Sequence, residues 1–304
     1  MPPAKRIICV GHAALDRIYR IDAFPPHPTK VRALEHVEAG GGMAANAAVA
    51  IARLGGKAEL WSRTGDDAAG GTIRAGLKAD RVDVRYLQSF EGARSSTSAI
   101  IVDGRGERLI VGQRDAGMPS GTSWLPLERV KDAGAVLGDL RWLEGLRAVF
   151  AEARKQKVPT ILDADLGARE ALSGVLKLTD YAIFSAPALR EFAPAGDDAA
   201  RLAHVLSLGP RHAGVTLGAD GYLWRERDGG AHVPAFSVSV TDTTGAGDAF
   251  HGAFALMLAE GSPTADSARI AAAVAALKCT RLGSRGGLPT RAELDAFLAG
   301  KQPT

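Results

Sequence analysis

Residues 242–250 read Asp-Thr-Thr-Gly-Ala-Gly-Asp-Ala-Phe (DTTGAGDAF). The segment 236–240 (FSVSV) before them is predicted to be a strand, and Phe250, Phe254 and Met257 recur at helical spacing after them. A Gly-x-Gly turn at the start of a helix leaves backbone N–H groups without partners at the positive end of the helix dipole. Such a turn binds anions, phosphate above all.

Asp248 stands inside this turn, where a carboxylate would repel a bound phosphate. It could cap the helix, but the glycines and threonines beside it favour a chemical task. The natural task is to take a proton from an attacking hydroxyl. The turn is not a P-loop, because no Gly-Lys-Ser/Thr follows it. It is not a dinucleotide fingerprint either, because Gly245-x-Gly247 lacks the third glycine.

A second glycine run, Gly40-Gly41-Gly42, also precedes a predicted helix, at 46–54. Glycines at such a place serve either close helix–sheet packing or ligand binding. Asn46 favours binding, because an amide at a helix start can hold ligand hydroxyls.

Strands and helices are predicted to alternate from about residue 130 onward, which indicates a parallel sheet covered on both faces. The predicted elements there are the strands 133–139, 158–163 and 181–185, the helix 142–156, hairpins within 212–240, and the long helices 248–260 and 265–279. The first 111 residues add a buried strand at 6–12 and exposed, alternating strands at 30–38, 97–102 and 108–111. We expect one compact unit over 1–304 with a small sheet at its edge.

Composition excludes several classes of protein. The 304 residues carry 37 positive and 34 negative formal charges, and 46% of them are apolar, which excludes wholesale disorder. A net charge of +3 without a basic cluster argues against nucleic-acid binding. Cys9 and Cys279 form no CxxC pair, so neither zinc nor a disulfide framework is indicated.

Membrane and export signals are also absent from the sequence. The longest stretch without Asp, Glu, Lys or Arg is 39–52, which is too short to span a bilayer. The apolar run at 7–11 is too short for a signal peptide. We therefore expect a cytoplasmic protein whose partner is a small molecule rather than a nucleic acid or a membrane.

Residues 242–254 (DTTGAGDAFHGAF) resemble the second signature of the ribokinase-like, or PfkB, family of carbohydrate kinases, and 41–55 resemble its first. Further motifs follow in the family's order at 11–16, 216–221 and 280–283, so the resemblance covers nearly the whole chain.

The resemblance implies a fold and a reaction. The fold is a three-layer α/β ribokinase-like fold with a mostly parallel central sheet flanked by helices, and a small β lid formed near 12–40 and 85–115. The reaction is phosphoryl transfer from ATP to a sugar hydroxyl, with Mg²⁺ as a cofactor. A homodimer is expected.

Single residues acquire roles from the same resemblance. The base that deprotonates the sugar would be Asp248, and the transferring phosphoryl group would be held by the amides of Gly245, Ala246 and Gly247. Sugar hydroxyls would be bound by Asp16, Gly41, Gly42 and Asn46. The nucleotide would be bound by Thr216, Gly218 and Gly221.

Two metal ions are also implied. A monovalent cation, K⁺ in particular, would be held by Asp242, Thr244 and carbonyl groups of 280–287. Ser185-Ala186-Pro187-Ala188 replaces the Asn-x-x-Glu of many family members, so magnesium would rest mainly on the phosphates of ATP. Asp163, at the end of the preceding strand, would contact magnesium or be an ordinary strand-end carboxylate.

Four stretches resemble the sulfofructose kinase subgroup closely: 15–19, 138–142, 182–185 and 276–281. That subgroup phosphorylates 6-deoxy-6-sulfofructose at its 1-hydroxyl, and Lys30 and Arg141 match its anion-binding positions. Arg141 also follows the carboxyl end of a predicted strand, where ligands collect in α/β sheets. Gly112 stands where the subgroup has a sulfonate-binding Asn, which would loosen the preference or shift it to an uncharged ketose.

Three other functions stay open. A fructokinase or ribokinase type of enzyme would phosphorylate a neutral sugar. A regulator would bind nucleotide without turnover, although the intact Asp248 argues against it. A dehydrogenase would need a dinucleotide fingerprint after the first strand, where Gly11-His12-Ala13-Ala14 has a single glycine.

Overall fold

The computed structural model describes residues 6–105, 107–167 and 169–300. Their strands are β1 (Arg6–Gly11), β2 (Ala14–Arg20), β3 (Glu35–Gly41), β4 (Lys57–Gly65), β5 (Leu87–Phe90), β6 (Ser96–Val102), β7 (Arg108–Gln113), β8 (Ala133–Asp139), β9 (Thr160–Ala164), β10 (Tyr181–Ser185), β11 (His212–Thr216), β12 (Tyr222–Glu226) and β13 (Gly229–Val233). Their α-helices are α1 (Met43–Arg53), α2 (Ala68–Ala79), α3 (Leu143–Gln156), α4 (Arg169–Leu176), α5 (Ala186–Phe192), α6 (Asp198–Ser207), α7 (Ala246–Ala259), α8 (Thr264–Cys279) and α9 (Arg291–Leu298).

The large sheet has nine strands in the order β13-β12-β11-β10-β9-β8-β1-β4-β5. Every neighbouring pair from β11 to β5 is parallel, whereas β12 and β13 join antiparallel at one edge. Parallel neighbours need long crossover connections, and helices supply most of them here. The predicted mostly parallel sheet and the hairpins within 212–240 are both confirmed.

The central strand β1 shows how helices cover both faces. Ile7 and Cys9 point into one core, which α1, α7 and α8 complete, and Ile8 and Val10 point into a second core built with α3 to α6. Successive side chains of a strand face opposite sides, so a strand buried on both sides is apolar throughout. Within the described ranges, no helix is both long and apolar enough to cross a bilayer.

A second sheet of four strands, in the order β3-β2-β6-β7, forms the small β lid. β2 and β6 are parallel, and the outer pairs are antiparallel. The four strands fall within the segments 12–40 and 85–115 apart from the last residue of β3, whereas Leu87–Phe90 pairs with β4 in the large sheet. β2 carries Asp16, and β3 ends at Gly41 directly before α1.

Two predicted strands differ in the structure. The strand expected over 30–38 begins only at Glu35, because β2 ends at Arg20 and offers no partner to earlier residues. The strand expected over 236–240 does not form. That segment leaves the edge strand β13, Phe236 packs on Phe297, and the amide of Thr241 donates to the carbonyl of Cys279 instead of to a neighbouring strand.

Candidate active site

The turn before α7 is fixed by the carboxylate of Asp242. Its two oxygens accept hydrogen bonds from the backbone amides of Thr244 and Gly283, each at 2.8 Å. Gly245 precedes the helix with a φ of 77°, a left-handed conformation that glycine adopts without strain. The turn is thereby held in one conformation at the start of α7.

The first amides of α7 are open to a ligand. Gly247 is exposed, and no atom outside its own turn lies within 4 Å of the position that a Cβ would take there. The amides of Gly247 and Asp248 belong to the first helical turn, where N–H groups have no intrahelical partner. The amide of Ala246 already donates to the carbonyl of Thr243 at 3.2 Å, so it is less available to a ligand than the amides of Gly247 and Asp248.

Asp248 is half-buried in this first turn, and its Oδ2 accepts a hydrogen bond of 2.7 Å from Asn46 Nδ2. The helix is preceded by Gly245 and has no side-chain cap, so the capping interpretation of Asp248 is wrong. Burial and the carboxylate of Asp163 raise the pKa of Asp248 to about 7, against the effect of the Asn46 hydrogen bond. A carboxylate that titrates near neutral pH is suited to proton abstraction.

Arg285 orients Asn46, and no motif in the sequence pointed to this arginine. Its Nε donates to Asn46 Oδ1 at 2.9 Å, and its Nη2 donates to the carbonyl of Gly41 at 2.9 Å. Because Asn46 Oδ1 is taken by Arg285, the amide NH₂ of Asn46 faces Asp248. Burial lowers the pKa of Arg285 to about 10, so the guanidinium is still charged at neutral pH.

Asp16 and the glycine pair lie together where the two sheets meet. Asp16 is nearly buried, accepts a hydrogen bond of 2.7 Å from Ser98 Oγ, and has its pKa raised by burial. A Cβ on Gly41 would lie 2.3 Å from Asp16 Oδ2, and one on Gly42, whose φ is 91°, would lie 2.5 Å from the carbonyl of His12. Both glycines therefore serve close packing, whatever they contribute to a ligand.

The completely buried Asp139 ties three elements at this junction. Its carboxylate accepts hydrogen bonds from the backbone amides of His12, Ala44 and Arg141, at 2.7, 3.0 and 2.8 Å. These amides come from the end of β1, the start of α1 and the end of β8. Asp139 therefore holds the site in shape, a role that no prediction assigned to it.

A cavity beside this junction is lined by three arginines, Arg63, Arg114 and Arg141, and also by His12 and Asp115; we call it the arginine cavity. The carboxylate of Asp115 accepts bonds from the amides of Arg94 and Gly117, so its charge is partly engaged in its own loop. The buried Nε2 of His12 has no hydrogen-bond partner among the described residues. Burial and the three guanidinium groups lower the pKa of His12 against the pull of Asp139, so its ring is neutral.

The three arginines differ in how firmly they are held. Arg63 donates to the carbonyl of Pro119 and lies 4.5 Å over the ring of Trp142. Arg141 donates to the carbonyl of Leu166 at 2.9 Å, and its Nη2 lies 3.6 Å from Asp165 Oδ2. Arg114 is exposed and has no ion-pair partner in the described part of the chain.

Two other positions that match the anion site of the sulfofructose kinase subgroup lie elsewhere. Lys30 is exposed in the segment before β3 and does not line the arginine cavity. Gly112 in β7 pairs with Ser98, which contacts Asp16, so a side chain at 112 would share the face of the small sheet that carries Asp16. Of the three positions, only Arg141 lines the arginine cavity.

The residues predicted to bind nucleotide follow β11. Thr216 ends that strand, and its Oγ1 donates to the carbonyl of Phe184 at 3.3 Å. Gly218 begins a short 3₁₀ turn with a φ of 62° and open space around its Cα. Gly221 has a φ of 91°, and a Cβ there would lie 2.1 Å from the carbonyl of Val233, so this glycine is required by the hairpin itself.

Asp163 lies at the carboxyl end of β9, close to two other carboxylates. Burial and repulsion from Asp139 and Asp165 raise the pKa of Asp163 well above its ordinary range. Ser185, which takes the place of the family's Asn, donates to Asp165 at 3.0 Å. In the described ranges, no group of three or more His, Cys, Asp or Glu side chains is arranged to hold a metal ion.

The predicted monovalent-cation site contains a lysine. The side chain of Lys278 is fully buried, and its Nζ donates to the backbone carbonyl of Asp242 at 2.6 Å and lies 3.8 Å from Asp242 Oδ2. Its position could have been noticed in the sequence, because Lys278 continues the buried face of α8 marked by Ala271 and Val274.

Several known proteins with similar sequences are sugar or sugar-phosphate kinases. The ribokinase of Bacillus subtilis is 29% identical over 97% of this chain and all of its own length. The ATP-dependent ribose-1-phosphate kinase of Halopiger xanaduensis is 27% identical over 97% of this chain and 98% of its own.

Two solved structures share the fold over 97% or more of both chains. The crystal structure of a ribokinase candidate from Agrobacterium tumefaciens is 36% identical, with a TM-score of 0.93 over 98% of each chain. That of Arabidopsis thaliana ribokinase with ribose and ATP is 25% identical, with a TM-score of 0.87 over 97% of this chain and 99% of its own. Residues 4–291 match the pfkB family of carbohydrate kinases. The chain therefore belongs to that family, as a kinase that uses ATP to phosphorylate a hydroxyl group of a sugar.

Proposed function

We propose that Asp248 is the general base of this kinase and that the first amides of α7 hold the phosphoryl group in transfer. The observation that carries this proposal is the position of Asp248. It stands in the anion-binding turn, is oriented by Asn46, and has a pKa of about 7. The base takes the proton of the sugar hydroxyl as the hydroxyl oxygen attacks the γ-phosphorus of ATP; the bond from this phosphorus to the β,γ-bridging oxygen breaks, ADP leaves, and charge develops beside the amides.

The substrates would lie on two sides of this turn. Asp16, Asn46 and the Gly41-Gly42 turn would hold sugar hydroxyls. Thr216, Gly218 and the following loop would hold the nucleotide, which enters as its magnesium complex. Asp163 is the carboxylate beside Asp248 that fits a magnesium ion, because a divalent cation would offset the repulsion from Asp139 and Asp165.

The sugar that we propose carries an anionic group, as a phosphorylated or sulfonated sugar does. Three guanidinium groups around one cavity repel one another, and a bound anion removes that repulsion. Guanidinium groups also match phosphate and sulfonate oxygens in geometry. The Halopiger relative, whose name specifies a sugar phosphate, supports this class, as does the resemblance to sulfofructose kinases.

A neutral sugar is the second candidate. The ribokinases among the relatives favour it, and so does the state of Arg141, which is already engaged by Leu166 and Asp165. A neutral sugar would leave Arg114 facing solvent, which costs a surface guanidinium little.

The deciding experiment measures ADP release with neutral, phosphorylated and sulfonated ketoses and pentoses. We expect kcat/KM to be highest for an anionic sugar. In the variant Arg141→Met, KM for that sugar rises about 10- to 150-fold, the size of a lost charged hydrogen bond, while KM for its neutral analogue changes less than a few-fold. Arg114→Met acts in the same direction without removing an ion pair among the residues that the structure describes.

Arg147→Met is the matched control, because Arg147 is an exposed arginine of α3 away from the cavity. Equal losses for charged and neutral sugars in Arg141→Met would contradict the anionic sugar and leave the ribokinase type. Tight ATP binding without sugar-dependent ADP release would indicate the regulator instead.

A homodimer through the small sheet is proposed as well. This sheet carries large exposed apolar side chains on both faces, with Val37 and Ile110 on the face of Asp16 and Leu109 and Val111 on the opposite face, and exposed apolar surface of this kind is typical of an interface. The molar mass in solution checks this, and Ile110→Lys is expected to shift the dimer toward the monomer. A wild-type protein that stays monomeric at micromolar concentration would contradict it.

A further inference from the structure

The site that the family resemblance assigns to K⁺ does not fit K⁺ in this chain. The ammonium group of Lys278 stands against Asp242, the residue whose carboxylate would bind the ion, and contacts its backbone carbonyl as well. A potassium ion at the same oxygens would face a full positive charge at close range in a buried place, where charges are poorly screened.

The ammonium group also has the properties of the ion that it excludes. It carries one positive charge, is similar in size to K⁺, and takes oxygen ligands. Its stem comes from the last turn of α8, whose packing against α7 fixes its position. Because the ammonium group is part of the polypeptide, every molecule carries this charge at the site, and no ion has to bind from solution.

We propose that Lys278 is a built-in monovalent cation that replaces K⁺ and makes the kinase independent of potassium. The inference rests on the proposed function of the turn at Asp242–Gly245. Lys278 does not reach the substrate in this proposal. It is a positioning residue that holds the carbonyl and carboxylate of Asp242, while Asp242 fixes the amide of Thr244 next to the anion-binding turn.

The first arm of the test uses the wild-type enzyme. Sugar-dependent ADP release and the Tm are measured in 100 mM KCl, LiCl or choline chloride, at about constant ionic strength. We expect kcat to differ less than twofold among the three salts, and the Tm to show no rise specific to potassium. Activation by K⁺ of more than about fivefold over choline, or a potassium-specific rise in Tm, would overturn the proposal.

The second arm removes the charge. In choline chloride, Lys278→Ala is expected to lose about 10- to 150-fold in kcat, the effect of a charged hydrogen bond, with KM for the sugar changed much less. KCl should restore part of kcat and raise the Tm of this variant, whereas LiCl should not. Lys155→Ala, which removes an exposed lysine of α3, is the control. A folded Lys278→Ala that keeps wild-type kcat in choline contradicts the proposal.

The Tm series separates the two proposals. If the chain shows no sugar-dependent turnover, the proposed function fails, yet the response of the Tm to K⁺ still tests Lys278. Should Lys278→Ala fail to fold, the wild-type salt series decides the question alone.

Discussion

Asp248→Asn lowers kcat by about 10²- to 10⁴-fold, the usual contribution of a general base. The amide cannot accept the proton of the sugar hydroxyl, but it keeps the size of the carboxyl group and can still bond to Asn46. ATP affinity falls little, because the amides at the start of α7 stay in place and a negative charge near the phosphates is gone. Single-turnover kinetics and the dissociation constant of an ATP analogue measure the two effects separately.

The pH dependence supplies the control for this prediction. Only ionised Asp248 acts as a base, so wild-type kcat falls as the pH drops through about 7 and levels off above it. Asn46→Ala removes a hydrogen bond that lowers this pKa, so the fall should move to higher pH. An Asp248→Asn enzyme that retains half of wild-type turnover would show that this carboxylate is not the base.

Gly247→Val abolishes most turnover while the fold survives. No atom outside its own turn stands where the new Cβ would lie, and Gly247 is not among the residues with positive φ, so α7 can accept the side chain. The branched side chain instead fills the space through which a phosphoryl group reaches the amides. Each donor to a developing oxyanion contributes about 10²–10³ in rate, so we expect a loss of at least that size in kcat.

Gly71→Val is the matched control, since Gly71, like Gly247, is an exposed glycine in the first turn of a helix, here α2, with open space at the position of a Cβ. Both variants should unfold at similar temperatures, and only Gly247→Val should lose activity. Normal turnover by a folded Gly247→Val would place the phosphoryl group elsewhere.

Local patterns in the sequence predicted the elements that are buried over most of their length. The strands at 133–139 and 181–185 form as expected because they are short apolar runs covered on both faces, and the two helices near the end form because they are long, Ala-rich runs. The strand predicted over 236–240 does not form. Its composition suits a strand, but β13 is the last strand of the large sheet and the segment pairs with no strand, and a local sequence pattern does not show which strands will pair.

Residues of the candidate site that belong to a sequence motif were predicted, and residues that reach it only through long-range contacts were missed. Asp248 and the glycines around it were found from their spacing. Arg285 contacts Asn46 across 239 positions of sequence, and Asp139 contacts the amide of His12 across 127, so no window of sequence contains either pair. The place of Arg63 in the arginine cavity was not predicted for the same reason, because an arginine of β4 lines this cavity only once β4, β1 and β8 are assembled into the sheet.

The junction of the two sheets has a mechanical consequence. Between β1 and β2 lie only His12 and Ala13, and between β3 and α1 only Gly42, while the carboxylate of Asp139 grips the amides of His12 and Ala44 on either side. The small sheet can therefore turn as a rigid body about these two short connections, while the carboxylate of Asp139 holds the connections in place. The seven-residue strands β2 and β3 are about 23 Å long, so a rotation of about 10° at these connections displaces the distant ends of the strands by about 4 Å. Asp16 lies near this junction and moves far less, so the opening can widen while the contacts that we propose between Asp16 and the sugar hydroxyls stay almost in place.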